Sequence, residues 1–120
     1  MVSATKAFED LITIDIPEVN ELGGNLWGLD NIGVPEIWAE TNKKESILGE
    51  GVTIAVVDTG IDLDHKEFKG RIVDGYDFVD DDIFADDMHG HGTHVAGTIA
   101  AANDSKGITG VAYNSKIMPI

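Results

Sequence analysis

Four side chains in the sequence could do acid–base chemistry together. His89, His91 and His94 crowd into the stretch HGHGTHVAGTIAA, and Asp58 stands in VVDTGID. An imidazole moves protons near neutral pH, and a carboxylate beside it fixes its tautomer and stabilises its cation. Three imidazoles so close could also be imagined as zinc ligands. However, His91 and His94 are three residues apart, His89 falls before the helix, and no H-E-x-x-H is present. The proton-transfer reading of His91 is therefore preferred. His94 is expected to be a buried helix histidine with a hydrogen-bond partner, and His89 a loop residue at the rim of a cleft.

These residues need particular elements to hold them. Val52 to Val57 is a nearly continuous, β-branched apolar run. It reads as a strand buried on both faces, as in a parallel sheet. Asp58 follows at its carboxyl end, where open α/β sheets gather their functional groups. A turn aspartate capping its own backbone is the plainer alternative. D-T-G also occurs where two aspartates share a proton, but here there is no second copy. His91 to about Ala102 reads as a helix. Its small residues Ala96, Gly97, Ala100 and Ala101 allow very close packing against a neighbour, which would fix His91 at its start.

The other elements follow from similar signals. LITIDI (11–16) alternates like a weak strand, and Pro17 ends it. Gly23-Gly24 is a joint. Pro35 suits the first turn of a short helix carrying Ile37, Trp38 and Ala39. RIVDGYDF (71–78) is a second strand candidate, and GVAYNSKIMPI leads into a third. Strand, helix and strand alternate, which predicts an α/β fold with a parallel sheet. The chain stops at KIMPI as an apolar run begins, so a fragment of a longer protein is expected.

Composition narrows the function. The 120 residues carry 22 acidic and 8 basic side chains, for a formal charge of −14. This argues against nucleic acid or an anionic membrane as partner. No apolar run approaches the ~20 residues of a membrane span. Without cysteine, no disulfide or thiolate site can form. The first residues are interrupted by acids and do not read as a signal peptide. Asp74, Asp77, Asp80, Asp81, Asp82, Asp86 and Asp87 crowd together with no Lys or Arg between Arg71 and Lys106. Such a loop needs solvation or a counter-ion, although it lacks the D-x-D-x-D-G of an EF-hand.

Taken together, A-V-V-D-T-G-I-D and H-G-T-H-V-A-G-T-I resemble the subtilisin-like serine peptidases, the subtilases. The order is theirs, Asp and then His, and the resemblance runs from about Leu26 to Ile120. It implies the N-terminal part of a parallel-sheet, three-layer domain, truncated, with residues 1–25 a propeptide tail or N-terminal extension. It implies peptide-bond hydrolysis, with Asp58 orienting His91 as general base. The nucleophile should be a serine in a G-T-S-M-A context further downstream, with an oxyanion asparagine. Ser3, Ser46, Ser105 and Ser115 lie in unrelated contexts, so these residues alone should be inactive. The alternative is a non-catalytic relative acting as a calcium-binding or interaction module.

The resemblance also implies calcium. In thermitase-like members an ion binds just before the catalytic histidine. Here Asp77, Asp80, Asp82 and Asp86 would give side-chain oxygens and Phe84 a carbonyl. A second ion would sit on the loop after the histidine helix, held by Asp104 and Glu67 and by the carbonyls of Ala102, Lys106 and Ile108. Gly23 falls where an N-terminal ligand is usual and has no side chain; Glu21 or Asn25 could replace it. The implied partners are polypeptide substrates, with a monomeric full-length enzyme. Secretion is the implied location, and a cytoplasmic, intracellular-subtilisin type is the alternative.

Overall fold

The computed structural model describes residues 27–40, 47–104 and 106–120. The strand expected over 11–16, and Gly23, Glu21 and Asn25, lie outside the described residues. Among the described residues two short helices come first, α1 (Trp27–Asn31) and α2 (Val34–Glu40). Pro35 sits in the first turn of α2, where its missing N–H costs nothing. Leu29, Val34 and Trp38 form a small core with Leu48, Val111 and Tyr113. The Trp38 indole N–H donates to the carbonyl of Val111 at 3.0 Å, which ties these helices to the segment before the last strand.

Strand β1 (Thr53–Val56) pairs in parallel with β2 (Lys116–Pro119), Ile54 opposite Ile117. Between them the chain makes a single 3-10 turn at Lys66–Phe68 and then helix α3 (His91–Ala100). The main core lies where α3 crosses the sheet. It holds Val56, Ile61, Phe68, Ala96, Ala100 and Ile117, with Ile54, Val95 and Ile99 packed around it. The helix reaches the sheet closely because its buried residues are Gly92, Ala96, Gly97 and Ala100, as the run of small residues led us to expect.

Three expectations are corrected. The run 71–78 is not a regular strand. It lies along β2 through one isolated parallel bridge, Ile72 to Ile117, and the Tyr76 N–H donates to the carbonyl of Pro119 at 3.1 Å. A Cβ on Gly75 would stand 1.8 Å from that same carbonyl, so the chain presses on β2 too tightly for an ordinary pleat. Secondly, β1 is covered on one face only among the described residues. Ile54 and Val56 are half-buried and buried, whereas Thr53 and Ala55 are exposed. Thirdly, His94 is exposed. At about 100° per residue it lies two positions, and so more than half a turn, from both Gly92 and Ala96. It shares the outer stripe with His91 and Thr98.

No helix among the described residues is long and apolar enough to cross a membrane.

Candidate functional site

Asp58 and His91 meet across the junction of β1 and α3. The ladder continues one step past the strands: the Ile120 N–H donates to Val56 O at 3.0 Å, and the Asp58 N–H donates to Ile120 O at 3.1 Å. This pins the aspartate backbone at the carboxyl end of the sheet. Gly60 then turns the chain with φ +95°, in a space where a Cβ would stand 2.7 Å from the carbonyl of Asp86. On the other side, Gly90 takes φ +101° and starts α3, so that His91 is its first residue.

His91 Nδ1 lies 2.7 Å from Asp58 Oδ1 and 2.9 Å from Oδ2. The Asp58 side chain is only 18% exposed, while that of His91 is 61% exposed. The Thr59 N–H also donates to Asp58 Oδ1, at 2.7 Å. The hydrogen bond from His91, and next that from Thr59, hold the Asp58 carboxyl below its ordinary value of 3.8. An ionised carboxylate on Nδ1 selects the tautomer that carries its proton there. The lone pair of Nε2 is then free to accept a proton from a substrate or nucleophile.

Gly92 explains how strand exit and helix start come so close. A Cβ there would stand 2.0 Å from the carbonyl of Gly60. Its N–H donates to Thr59 Oγ1 at 2.9 Å. Asp87, read in the sequence only as one acid among many, accepts hydrogen bonds from both sides of this junction. Nothing in its local sequence separates it from Asp86 or Asp82 except its place four residues before His91. His89 is an exposed loop residue.

The expected cation ligands fall into two places. In the acidic loop, Asp77 and Asp82 face each other through paired backbone bonds of 2.8 and 3.1 Å. Their carboxylates cap local N–H groups: Asp77 Oδ1 accepts from Val79 and Asp80, and Asp82 Oδ1 accepts from Phe84. Asp86 Oδ1 accepts from the Leu63 N–H at 3.2 Å, and Phe84 O from the Asp86 N–H at 2.7 Å. Among the described residues, no three His, Asp or Glu side chains gather as a metal-ligating group.

The loop after α3 differs. Glu67 is 6% exposed, and its Oε2 has no hydrogen-bond partner among the described residues. Burial, and then the nearby charge of Asp104, push its carboxyl above the ordinary value of 4.5. The Ala102 N–H donates to Glu67 O, and the Lys106 N–H to Asp104 Oδ1, so the loop carrying Ala102, Asp104, Lys106 and Ile108 folds over Glu67. The nearest guanidinium, Arg71, binds the Glu67 backbone carbonyl.

Comparison with known proteins places this geometry. The model of the subtilase family matches residues 49–120. Fervidolysin of Fervidobacterium pennivorans is 47% identical over 106 residues, which are 83% of this chain and 14% of that protein. The intracellular serine protease of Paenibacillus polymyxa is 44% identical over 108 residues, 86% of this chain and 30% of that protein. The crystal structure of fervidolysin, a keratinolytic enzyme related to subtilisin, superposes with a TM-score of 0.66 at 45% identity, over 83% of this chain and 15% of that one. A cold adapted subtilisin-like serine proteinase gives a TM-score of 0.54 at 49% identity, over 62% and 26% of the two chains. The chain thus spans less than a third of the length of these curated relatives.

Proposed function

The chain belongs to the subtilase family, and from that premise we propose that it supplies the aspartate and histidine of a serine-type endopeptidase acting on polypeptides. The observation that carries this reading is the double contact of His91 Nδ1 with the Asp58 carboxylate at 2.7 and 2.9 Å. Asp58 holds the ring and its tautomer. His91 Nε2 takes the proton from the nucleophile and later returns it to the leaving amine. The nucleophile is the downstream serine that the resemblance implies. Ser115 does not serve: it is fully buried, and its hydroxyl donates to Ala112 O at 2.7 Å.

The full-length protein should be labelled covalently by a fluorophosphonate probe and should hydrolyse peptides, and the same protein with His91→Ala should do neither. If the unaltered full-length protein takes up no probe, the endopeptidase reading is lost and the non-catalytic relative replaces it.

Calcium belongs to the same reading. Hard oxygen donors suit this ion, and the buried Glu67 carboxylate, whose Oε2 has no hydrogen-bond partner among the described residues, lies near the charge of Asp104, a pairing that a cation would relieve. Glu67 and Asp104 would hold it with the carbonyls of Ala102, Lys106 and Ile108. The ion would neutralise these charges and take no part in the bond-breaking step. Asp77, Asp80, Asp82, Asp86 and the Phe84 carbonyl make a second set, of which Asp77, Asp82 and Asp86 accept from backbone N–H groups. A chelator should lower the thermal midpoint of the full-length protein. An unchanged midpoint would remove calcium from this account. We place the protein outside the cell, in keeping with calcium use; the names of two relatives, intracellular serine proteases of P. polymyxa and Bacillus subtilis, carry the alternative. Activity in culture medium against activity in lysate separates the two.

A further inference from the structure

Asp87 is the most heavily bonded carboxylate among the described residues, and its hydrogen bonds go to neither Asp58 nor His91. Its Oδ1 accepts from Thr59 Oγ1 at 2.8 Å, His89 N at 2.9 Å and Gly90 N at 2.8 Å. Its Oδ2 accepts from Thr93 N at 2.9 Å and Thr93 Oγ1 at 2.6 Å. The partners come from both halves of the junction. Thr59 follows Asp58 directly, and Thr93 lies two residues after His91.

The direction of these bonds matters. An ionised carboxylate only accepts, so both threonine hydroxyls must donate to it. Each hydroxyl has one proton, and each therefore offers only lone pairs to its other neighbour. Those neighbours are N–H groups: Gly92 N donates to Thr59 Oγ1 at 2.9 Å, and Asp62 N donates to Thr93 Oγ1 at 2.9 Å. The two bridges cross in opposite senses. Thr59, on the strand exit, receives the second residue of α3; Thr93, on α3, receives the turn after the strand. Gly60 and Gly92 leave no room between them for a Cβ. Separation and tilt of the two segments are thus set by a bonded lattice with one carboxylate at its hub.

We propose that Asp87 is a positioning residue for the Asp58–His91 pair, an ionised hub that acts through the hydroxyls of Thr59 and Thr93. Burial alone would raise its pKa. The hydrogen bonds from Thr93, Gly90 and His89 outweigh that and hold it far below the usual carboxylate range. The hub therefore stays charged wherever His91 could act as a base. The proposal rests on the reading of His91 as general base, and its test is chosen to separate the two.

The test uses the full-length protein with Asp87→Asn, Thr59→Val and Thr59→Ser. Asparagine keeps the shape of Asp87 but turns an NH2 toward donors. Valine keeps the shape of threonine without the hydroxyl, and serine keeps the hydroxyl. Two signals are read: the downfield NMR resonance of the His91 Nδ1 proton, and kcat and KM for a peptide substrate. Asp87→Asn and Thr59→Val should lower kcat roughly 10- to 100-fold, the scale of a small misplacement of reacting groups, with KM within about twofold. Both should weaken or shift the Nδ1 resonance, and Thr59→Ser should restore both signals.

A folded Asp87→Asn protein with an unchanged Nδ1 resonance would overturn the proposal, whatever its activity. So would a Thr59→Ser protein as impaired as Thr59→Val, because shape rather than the hydroxyl would then be at work. If Asp87→Asn fails to fold, the Thr59 pair decides alone by the same criteria. If the unaltered protein hydrolyses no peptide, the peptidase reading fails, yet the Nδ1 resonance still reports whether Asp87 orients His91.

Discussion

Helix α3 has a carboxylate at each end, and the two are treated in opposite ways. Asp87, before the first turn, receives donors on both oxygens, from Thr59, His89, Gly90 and Thr93. Glu67, under the loop that follows the last turn, is 6% exposed and has an oxygen with no partner. Burial raises the cost of ionising either group, but only Asp87 has the hydrogen bonds to reverse it. A carboxylate with enough N–H and O–H donors is stabilised by the protein itself and can serve as fixed geometry. One without them must protonate or find a cation from outside. On this view the Asp87 end of α3 is the chemical end, and the Glu67 end sets stability.

The division is broken most easily at His91. If the Asp87 end is chemical, His91→Ala in the full-length protein should lower kcat/KM by a factor on the order of 10⁴ or more, the scale reached by triad substitutions in serine peptidases. The thermal midpoint should barely move, because the ring is 61% exposed and, among the described residues, bonded to Asp58 alone. A large drop in midpoint with kcat/KM preserved would reverse the assignment of the two ends.

The next effect is larger for stability than for rate, and it shows that the chemical end is not loosely built. In an ordinary helix, Gly→Ala gains up to about 1 kcal/mol. At Gly92 the new Cβ would meet the Gly60 carbonyl at 2.0 Å. Both are backbone, so neither can swing away. Gly92→Ala should therefore cost roughly 3 kcal/mol or more, visible as a clear fall in denaturant midpoint. A midpoint equal to that of the unaltered protein would mean that the strand exit and helix start are further apart than described.

At the other end, calcium and pH should act together. The Glu67 carboxyl is raised above 4.5. In chelator its contribution is therefore fully present below that value and is lost as pH rises through the raised value. Calcium would favour the ionised form, so the stabilisation by calcium should grow as pH rises above 4.5. At a hundredfold excess over Kd the gain is about 2.7 kcal/mol. Glu67→Gln should abolish most of it. Asp87 runs the other way: its stabilisation is present above the ordinary 3.8 and is lost only as pH falls far below it. Thermal melts across pH, with calcium and with chelator, check both signs. A calcium increment independent of pH would detach Glu67 from the ion.

How much of this could be read in the sequence depends on the range of the cause. Asp58 at the end of Val52–Val57, and His91 ahead of a run of small residues, were legible because each motif sits inside one local element. The α/β reading and the parallel pairing of the last strand followed from the same local patterns. The exposure of His94 has a local signal too: the helical phase of Gly92, Ala96 and Gly97 puts it outside. The segment 71–78 reads as a strand candidate by itself, but Gly75 against Pro119 is a contact between distant residues. Asp87 was not legible at all. Its five donors come from the strand exit, its own loop and the helix, and only the folded chain brings them together.

The smallest effect tests whether close packing is shared by both ends of α3. Gly97 is buried, as Gly92 is, but its hypothetical Cβ meets Ile108 Cδ1 at 3.2 Å, the far end of a side chain that can turn. Ile108 lies on the loop that covers Glu67 and is itself 37% exposed. The helix gains from losing a glycine by up to about 1 kcal/mol, and the shift of Ile108 costs a comparable amount or less. Gly97→Ala should therefore change stability by less than about 1 kcal/mol, against the much larger loss at Gly92, with kcat/KM unchanged within about twofold. Because Ile108 supplies a carbonyl to the proposed calcium set, calcium affinity is the sensitive measurement. A small weakening in Gly97→Ala, reversed by Ile108→Val, would show that the helix and the Glu67 loop are coupled at this contact. A loss as large as that at Gly92 would mean that the two ends are equally rigid, and the distinction between a chemical end and a stability end would then rest on the carboxylates alone.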